Sequence, residues 1–388
     1  MNVANAGPSK IVNYNNVLTI NGNVSFPANT TPFRLDVWGD GSGVAKFNGQ
    51  VTGYSSGQDW RSFYGNDGVM ELGTQHNPWR NTGCRKGTLI LKGNYDAPNG
   101  DNNRVGFPSW DASNPKRIWI QAQGGLGIYS NRWNFSPRST DAGKYHEFRV
   151  MAPTVHAKLH GRVRIDDKLW WCVDSGCYVE IVDTGIDKGD NAATSNVYVY
   201  GGGTTDVKVA SITTIPIPFV ISNGVFLVNN PSGFATHGSV TVCASGVFGG
   251  AGSIGGDMRC ESGGIVSPGN SIGTLTAANG VFAAGGILHW EVNGATADKL
   301  NVLNTLNISA GSVTVKVAGT VTVGVTNDAF TFATLNGNAT NDLVVDVSAL
   351  PGITANIIPG TGSIGIQLVP EPGLIGLGLL ALVGLRRK

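Results

Sequence analysis

Short alternating stretches, each cut off by a glycine or asparagine turn, recur along most of this 388-residue chain. They are VLTINGNVSF (17–26), FRLDVW (33–38), GVAKFNGQV (43–51), GTLILKG (87–93), RIWIQA (117–122), EFRVMA (147–152), KLHGRVRI (158–165) and CYVEIVD (177–183). A run of four to eight residues with period two is a half-buried strand. No stretch of the first half sustains a 3.6-residue period, so helices should be few and short. Short strands returning at roughly 15–25-residue intervals cannot bury their apolar faces alone. They must stack, rung on rung, into a solenoid. Glycine at the corners lets the backbone turn where a side chain would clash. The expected fold is therefore all-β.

Composition agrees and divides the chain in two. Gly supplies 56 residues without a Gly-X-Y period, which excludes collagen, and 41% apolar residues exclude disorder. A net charge of +1 leaves no bulk footprint for nucleic acid. Of 27 Lys and Arg, 20 precede residue 191, as do eight of nine Trp. Beyond that point Val, Thr, Ile and Gly dominate. We expect residues 1–190 to form a Trp/Arg-rich part of the solenoid with long loop insertions, and 191–368 a Gly/Val/Thr-rich part with a β cap. Val313, Val315, Val317, Val321, Val323 and Val325 predict a strand pair with one buried face. Ile364, Ile366 and Leu368 predict another strand before the tail.

Residues 369–388 are of a different kind. Pro370-Glu371-Pro372 breaks any incoming strand, Gly373–Leu385 is wholly apolar, and Arg386, Arg387 and Lys388 close the chain. Thirteen residues of helix cover about 20 Å, short of a bilayer core of roughly 30 Å. Snorkelling arginines and local thinning permit a transient span, with the cations on the cytoplasmic side. The expectation is a short membrane helix that is removed by processing. MNVANAGPSK (1–10) has neither basic start nor apolar run, so a signal peptide upstream of Met1 is expected to be missing.

This tail resembles the PEP-CTERM sorting signal of Gram-negative bacteria. Pro370, Glu371 and Pro372 match its motif, and Arg386, Arg387 and Lys388 match its basic end. The resemblance implies recognition by exosortase, transient inner-membrane anchoring, and an association with exopolysaccharide and biofilm. Residues 246–310 resemble the passenger region of autotransporters, through GVFGGAGSIGG (246–256), SPGNSIGTLT (267–276), GGILHWEVNG (285–294) and ADKLNVLNTLNI (297–308). That likeness implies a right-handed parallel β-helix. No barrel-sized set of strands follows, which departs from the autotransporter plan.

Several residue clusters fit either a site or a plain structural role. Trp60, Trp79, Trp110, Trp119, Trp133, Trp170 and Trp171 stand among Arg, Asn and Asp. Their rings suit sugar stacking, or they cover the solenoid and hold its loops. Cys243 and Cys260 are 17 residues apart, close to one turn, and could bridge adjacent rungs for about 3 kcal/mol. Cys172 and Cys177 could close a small loop; five buried thiols, Cys84 included, are the other reading. Arg164, Asp166, Asp167 and Lys168 read as a catalytic or calcium cluster or as a solvated turn. Asp183, Asp187 and Asp190 are a calcium-like loop without a calcium spacing. His146, His156 and His160 lack a third ligand set for zinc, although His156 and His160 should share a strand face.

The expected protein is an exported surface or extracellular-matrix structural protein without catalytic residues, metal or cofactor. The runner-up is a polysaccharide-binding adhesin, or a polysaccharide lyase or hydrolase, on the same scaffold.

Overall fold

The computed structural model describes residues 9–12, 16–25, 34–38, 43–52, 62–66, 68–73, 81–84, 87–93, 95–96, 104–107, 116–123, 125–130, 132–135, 146–165, 168–183, 185–188, 196–212, 214–311 and 313–371. Trp60, Trp79, Trp110, Asp166, Asp167, Asp190, Pro372, Arg386, Arg387, Lys388 and the run 373–385 lie outside these residues. The chain is an all-β parallel solenoid that divides into two compact units, residues 1–238 and 239–388.

In the first unit the chain visits three parallel sheets in turn. One sheet holds nine strands among the described residues, running Val17–Ile20, Val44–Phe47, Val69–Leu72, Gly87–Leu91, Lys116–Ile120, His146–Val150, Leu169–Val173, Val197–Tyr200 and Phe219–Ile221. A second carries Leu126–Ser130, His156–His160, Tyr178–Ile181, Thr204–Val207 and Gly224–Val228. The third includes Arg104–Phe107, Arg132–Phe135, Val163–Ile165 and Ile186–Lys188.

Parallel register turns the period of two into columns. Ala45, Met70, Leu89, Ile118, Phe148, Trp171, Val199 and Ile221 pair rung to rung, and every one of them is buried. A second inward column runs Phe47, Leu72, Leu91, Ile120, Val150 and Val173. Each such side chain contributes about 1.5–3 kcal/mol relative to exposure. The first of these columns crosses residue 190, so the compositional break there falls inside the first unit. It reflects what hangs on the coil, while the coil itself continues.

Strand starts in the nine-stranded sheet are 18 (69 to 87) to 30 (116 to 146) residues apart, wider than the sequence spacing implied. The described strands keep their register across this range of spacings. At one corner Gly201 has φ +108, and a Cβ there would lie 2.4 Å from the Val173 carbonyl oxygen. Only glycine suits both conditions.

The second unit repeats the plan, with strand starts 18 (240 to 258) to 29 (305 to 334) residues apart in one sheet. Val240–Val242, Met258–Cys260, Gly280–Phe282, Thr305–Ile308 and Thr334–Asn336 form one sheet. Gly246–Gly250, Ile265–Pro268, Ile287–Gly294, Val313–Val321 and Leu343–Asp346 form another. Thr274–Ala277, Lys299–Val302 and Thr326–Thr331 form the third. Against the last of these, Ser363–Pro370 and Ile353–Gly360 add an antiparallel hairpin. Ile364, Ile366 and Leu368 are its buried face, as the alternation implied.

The valine run differs from expectation. Val313, Val315 and Val317 are buried in one long strand, but Val323 lies in a turn and is 46% exposed. Gly324, at φ +84, makes that turn possible. Among the described residues the only α-helix is the four-residue Ala339–Asp342, capped by Asn338, whose side chain accepts from Thr340 N (3.0 Å) and Asn341 N (3.2 Å). No helix of the described residues is long and apolar enough to cross a membrane.

Candidate functional site

Residues alternate sides along a strand, so two outward columns alternate with the two inward ones. In the first unit these read Arg117, Glu147, Trp170, Tyr198, and beside them Trp119, Arg149, Cys172, Tyr200. Together they form a grid on the outer face of the nine-stranded sheet.

Arg149 is clamped at one edge of the grid: its Nε and Nη2 donate to Asp174 Oδ1 and Oδ2, both at 3.0 Å. The bond to Asp174 holds the guanidinium above its ordinary value. Arg117 Nε lies 3.9 Å from Glu147 Oε2, a contact of charges too long for a hydrogen bond. Trp170 stacks on Tyr198 (centroids 5.2 Å apart, planes at 24°) and meets Tyr200 edge-on at 5.5 Å. The Cys172 thiol donates to Asp174 Oδ1 (3.4 Å), and burial pushes it up to about 12, with Arg149 opposing. It stays protonated and is no nucleophile.

Two atoms of the grid stand out. Glu147 is 8% exposed, and its Oε1 is shut off from solvent. Trp119 Nε1 is shut off as well. Among the described residues neither atom has a hydrogen-bond partner.

The second sheet has a polar outer face of its own. Lys158, Glu180 and Asp206 share a column. Glu180 Oε2 meets His156 Nε2 at 3.0 Å and Lys158 Nζ at 3.5 Å, and Lys208 contacts its other oxygen. Asp206 accepts from Tyr178 Oη at 2.6 Å and Asn229 Nδ2 at 2.8 Å. Burial would raise Glu180, but Lys208 and His156 outweigh it and hold the carboxyl below its usual range. A carboxylate so held is a poor proton donor, so Glu180 is not the raised acid that glycoside hydrolysis needs.

The sequence-derived candidates fall as follows. Trp119 and Trp170 face outward in the grid, half-buried. Trp133 and Trp171 are 0% and 3% exposed and pack inside the coil, where no sugar reaches them. The four described cysteines of the bridging reading, Cys172, Cys177, Cys243 and Cys260, are all free thiols. Register explains one pair: Cys260 lies opposite Val242, so Cys243 is one residue out of step and on the other side of the strand. Arg164 sits in the strand Val163–Ile165. Asp187 is buried and ion-paired with Arg162, and Asp183 Oδ2 lies 2.8 Å from His160 Nδ1. His156 and His160 share a face as expected, each against a carboxylate, whereas His146 is buried. Among the described residues no three His, Cys, Asp or Glu side chains converge as metal ligands.

Sequence reasoning passed over Glu147, Arg149 and Arg117. Their signal lay in the alternation of RIWI and EFRV, which puts charge and Trp on one side. It also passed over Asp298 in the second unit. That carboxyl accepts from Gly273 N (2.9 Å) and Glu291 N (3.1 Å), and Trp290 Nε1 donates to its backbone oxygen (2.7 Å). Burial raises it to about 7 despite those bonds.

No protein-family model matches the chain, and no curated protein matches it either.

Proposed function

We propose that this chain is an exported cell-surface or extracellular-matrix structural protein of a Gram-negative bacterium, associated with exopolysaccharide or biofilm. In this reading the solenoid is a right-handed β-helix. Residues 373–385 form a short membrane helix, held transiently in the inner membrane, and exosortase processes the chain near Pro370-Glu371-Pro372.

The observation that carries the reading is where the fold hands over to the motif. The last strand, Ser363–Pro370, ends on the first proline, and Glu371 N donates to Gly352 O at 3.0 Å. The sorting motif thus begins directly at the closing hairpin. Further support comes from the outer faces, where charges are neutralised by side chains one rung away, as suits an inert surface. Lys92 Nζ donates to Glu71 at 2.7 Å, and Arg149 is held by Asp174.

The test is fractionation of the native host with mass spectrometry of the mature C-terminus. The expected result is protein at the surface or outside, with no peptide extending to Lys388. Cytosolic protein retaining Lys388 would overturn the reading. A glycan-binding adhesin is the second reading, favoured by the outward placement of Trp119 and Trp170 beside Glu147.

A further inference from the structure

The outward grid of the first unit contains a donor and an acceptor that each need what the other kind of group provides. Trp119 lies two residues beyond Arg117 on its strand, and Arg117 pairs with Glu147 on the next rung. Trp119 and Glu147 are therefore diagonal neighbours on one face. Trp119 Nε1–H and Glu147 Oε1 are both buried without a hydrogen-bond partner. Leaving a buried polar group unsatisfied costs about 1–3 kcal/mol, more when it is charged, so a native fold keeps such a pair for a reason.

We propose that Trp119 and Glu147 form a subsite for a neutral saccharide, in which one ligand hydroxyl donates to Glu147 Oε1 and accepts from Trp119 Nε1–H. A hydroxyl is the simplest group that performs both roles at once. The neighbouring groups fit a sugar. The ring of Trp170, next to Glu147 in its column, offers apolar surface for C–H faces. Arg117, with about a third of its side chain exposed and only a 3.9 Å contact to Glu147, can swing aside to admit the ligand and donate to a second hydroxyl.

Competing ligand chemistries fit less well. The Glu147 charge repels the carboxylates of an acidic glycan. Calcium takes six to eight oxygens, whereas the other carboxylate of the grid, Asp174, is engaged by Arg149 through both oxygens. The proposal deepens the glycan-associated reading and rests on it, but is independent of export.

The experiment is calorimetry and glycan-array binding with the purified full chain, using neutral glucans, mannans and galactans against uronate-rich polysaccharides and calcium alone. Trp119→Phe keeps an aromatic ring and deletes the N–H with the pyrrole half of the indole, and Glu147→Gln keeps the shape and deletes the charge. Glu261→Gln, on the second unit, serves as a control. The expected result is binding to a neutral glycan that Glu147→Gln weakens about tenfold, the worth of one charge-assisted hydrogen bond, and Trp119→Phe about fivefold, the worth of a neutral one. The control should bind as the wild type does, and neither grid variant should lower the thermal transition of the unliganded chain, since each removes an unsatisfied buried polar or charged group. No affinity for any neutral glycan, stronger binding to uronates or calcium, or grid variants that bind like the wild type would each overturn the proposal. A lone water bridging the two atoms in a crystal, with no glycan binding, would overturn it equally. Should Glu147→Gln fail to fold, Trp119→Phe decides alone. Failure of export in fractionation leaves this outcome untouched, so the two results separate.

Discussion

The ring centroids of Phe148 and Trp171 lie 4.3 Å apart, their planes inclined at 36°, on neighbouring rungs inside the first unit. Phe135 joins them edge-on, at 5.5 Å from Phe148 and 6.2 Å from Trp171, and Trp133 meets Phe148 at 5.6 Å. The four rings form one aromatic cluster built from two sheets.

Trp171→Ala should therefore destabilise the first unit by about 3–5 kcal/mol, the usual loss on truncating a buried aromatic. Trp170→Ala, one residue away but outward, should cost well under half of that. Urea unfolding followed by circular dichroism distinguishes them. Equal losses would mean the two faces have been assigned the wrong way round.

Gly201 turns the corner after Tyr200 with φ +108. Gly201→Ala adds backbone strain of about 1–3 kcal/mol and presses a methyl onto the Val173 carbonyl. A measurable drop in the urea midpoint is expected. Gly176→Ala, where nothing lies within 4 Å of the new methyl, carries the positive-φ strain alone and should lose less.

His146 should make the first unit acid-sensitive. Burial, assisted by the charge of Lys116, lowers its pKa to about 3 from an ordinary 6.5. Between those values the unfolded chain binds a proton that the folded one refuses. The contribution to stability is complete above pH 6.5 and is lost as pH falls toward 3. The slope approaches about 1.4 kcal/mol per pH unit. His146→Gln should flatten it in a pH series of denaturation midpoints.

Asp298 gives the second unit the opposite slope. Burial raises its pKa to about 7 from 3.8, so here the folded state is the one that holds the proton. Its contribution is full below pH 3.8 and is lost as pH rises through 7. Asp298→Asn should remove that dependence. An unchanged pH profile in the variant would show that the carboxyl titrates normally.

The strands were legible because a period of two needs no tertiary information. The parity of adjacent tryptophans was not. In LWWCV (169–173) the alternation says that Trp170 and Trp171 face opposite ways, but only pairing with Phe148 and Val199 decides that Trp171 is the inner one. The pairing of Cys243 with Cys260 was left open in the sequence for a related reason, and both are free thiols in the structure. A separation near one turn fixes the rung and leaves the register open, and one residue of slip, Val242 opposite Cys260, turns the two thiols apart. The Trp119–Glu147 pair was hidden because 28 residues separate them (147 − 119), and nothing local says which insertions precede the next rung.

Register by columns has an evolutionary corollary. Leu169 through Asn196 amount to one full circuit, since Val197 occupies the place of Leu169 one level on. Excising that segment would bring Phe148 directly against Val199, both apolar and both facing inward, and the seam would close. Length in such a lineage is therefore a heritable dial, adjustable in whole circuits by duplication or deletion, while the chemistry displayed on any one circuit drifts independently of its neighbours'.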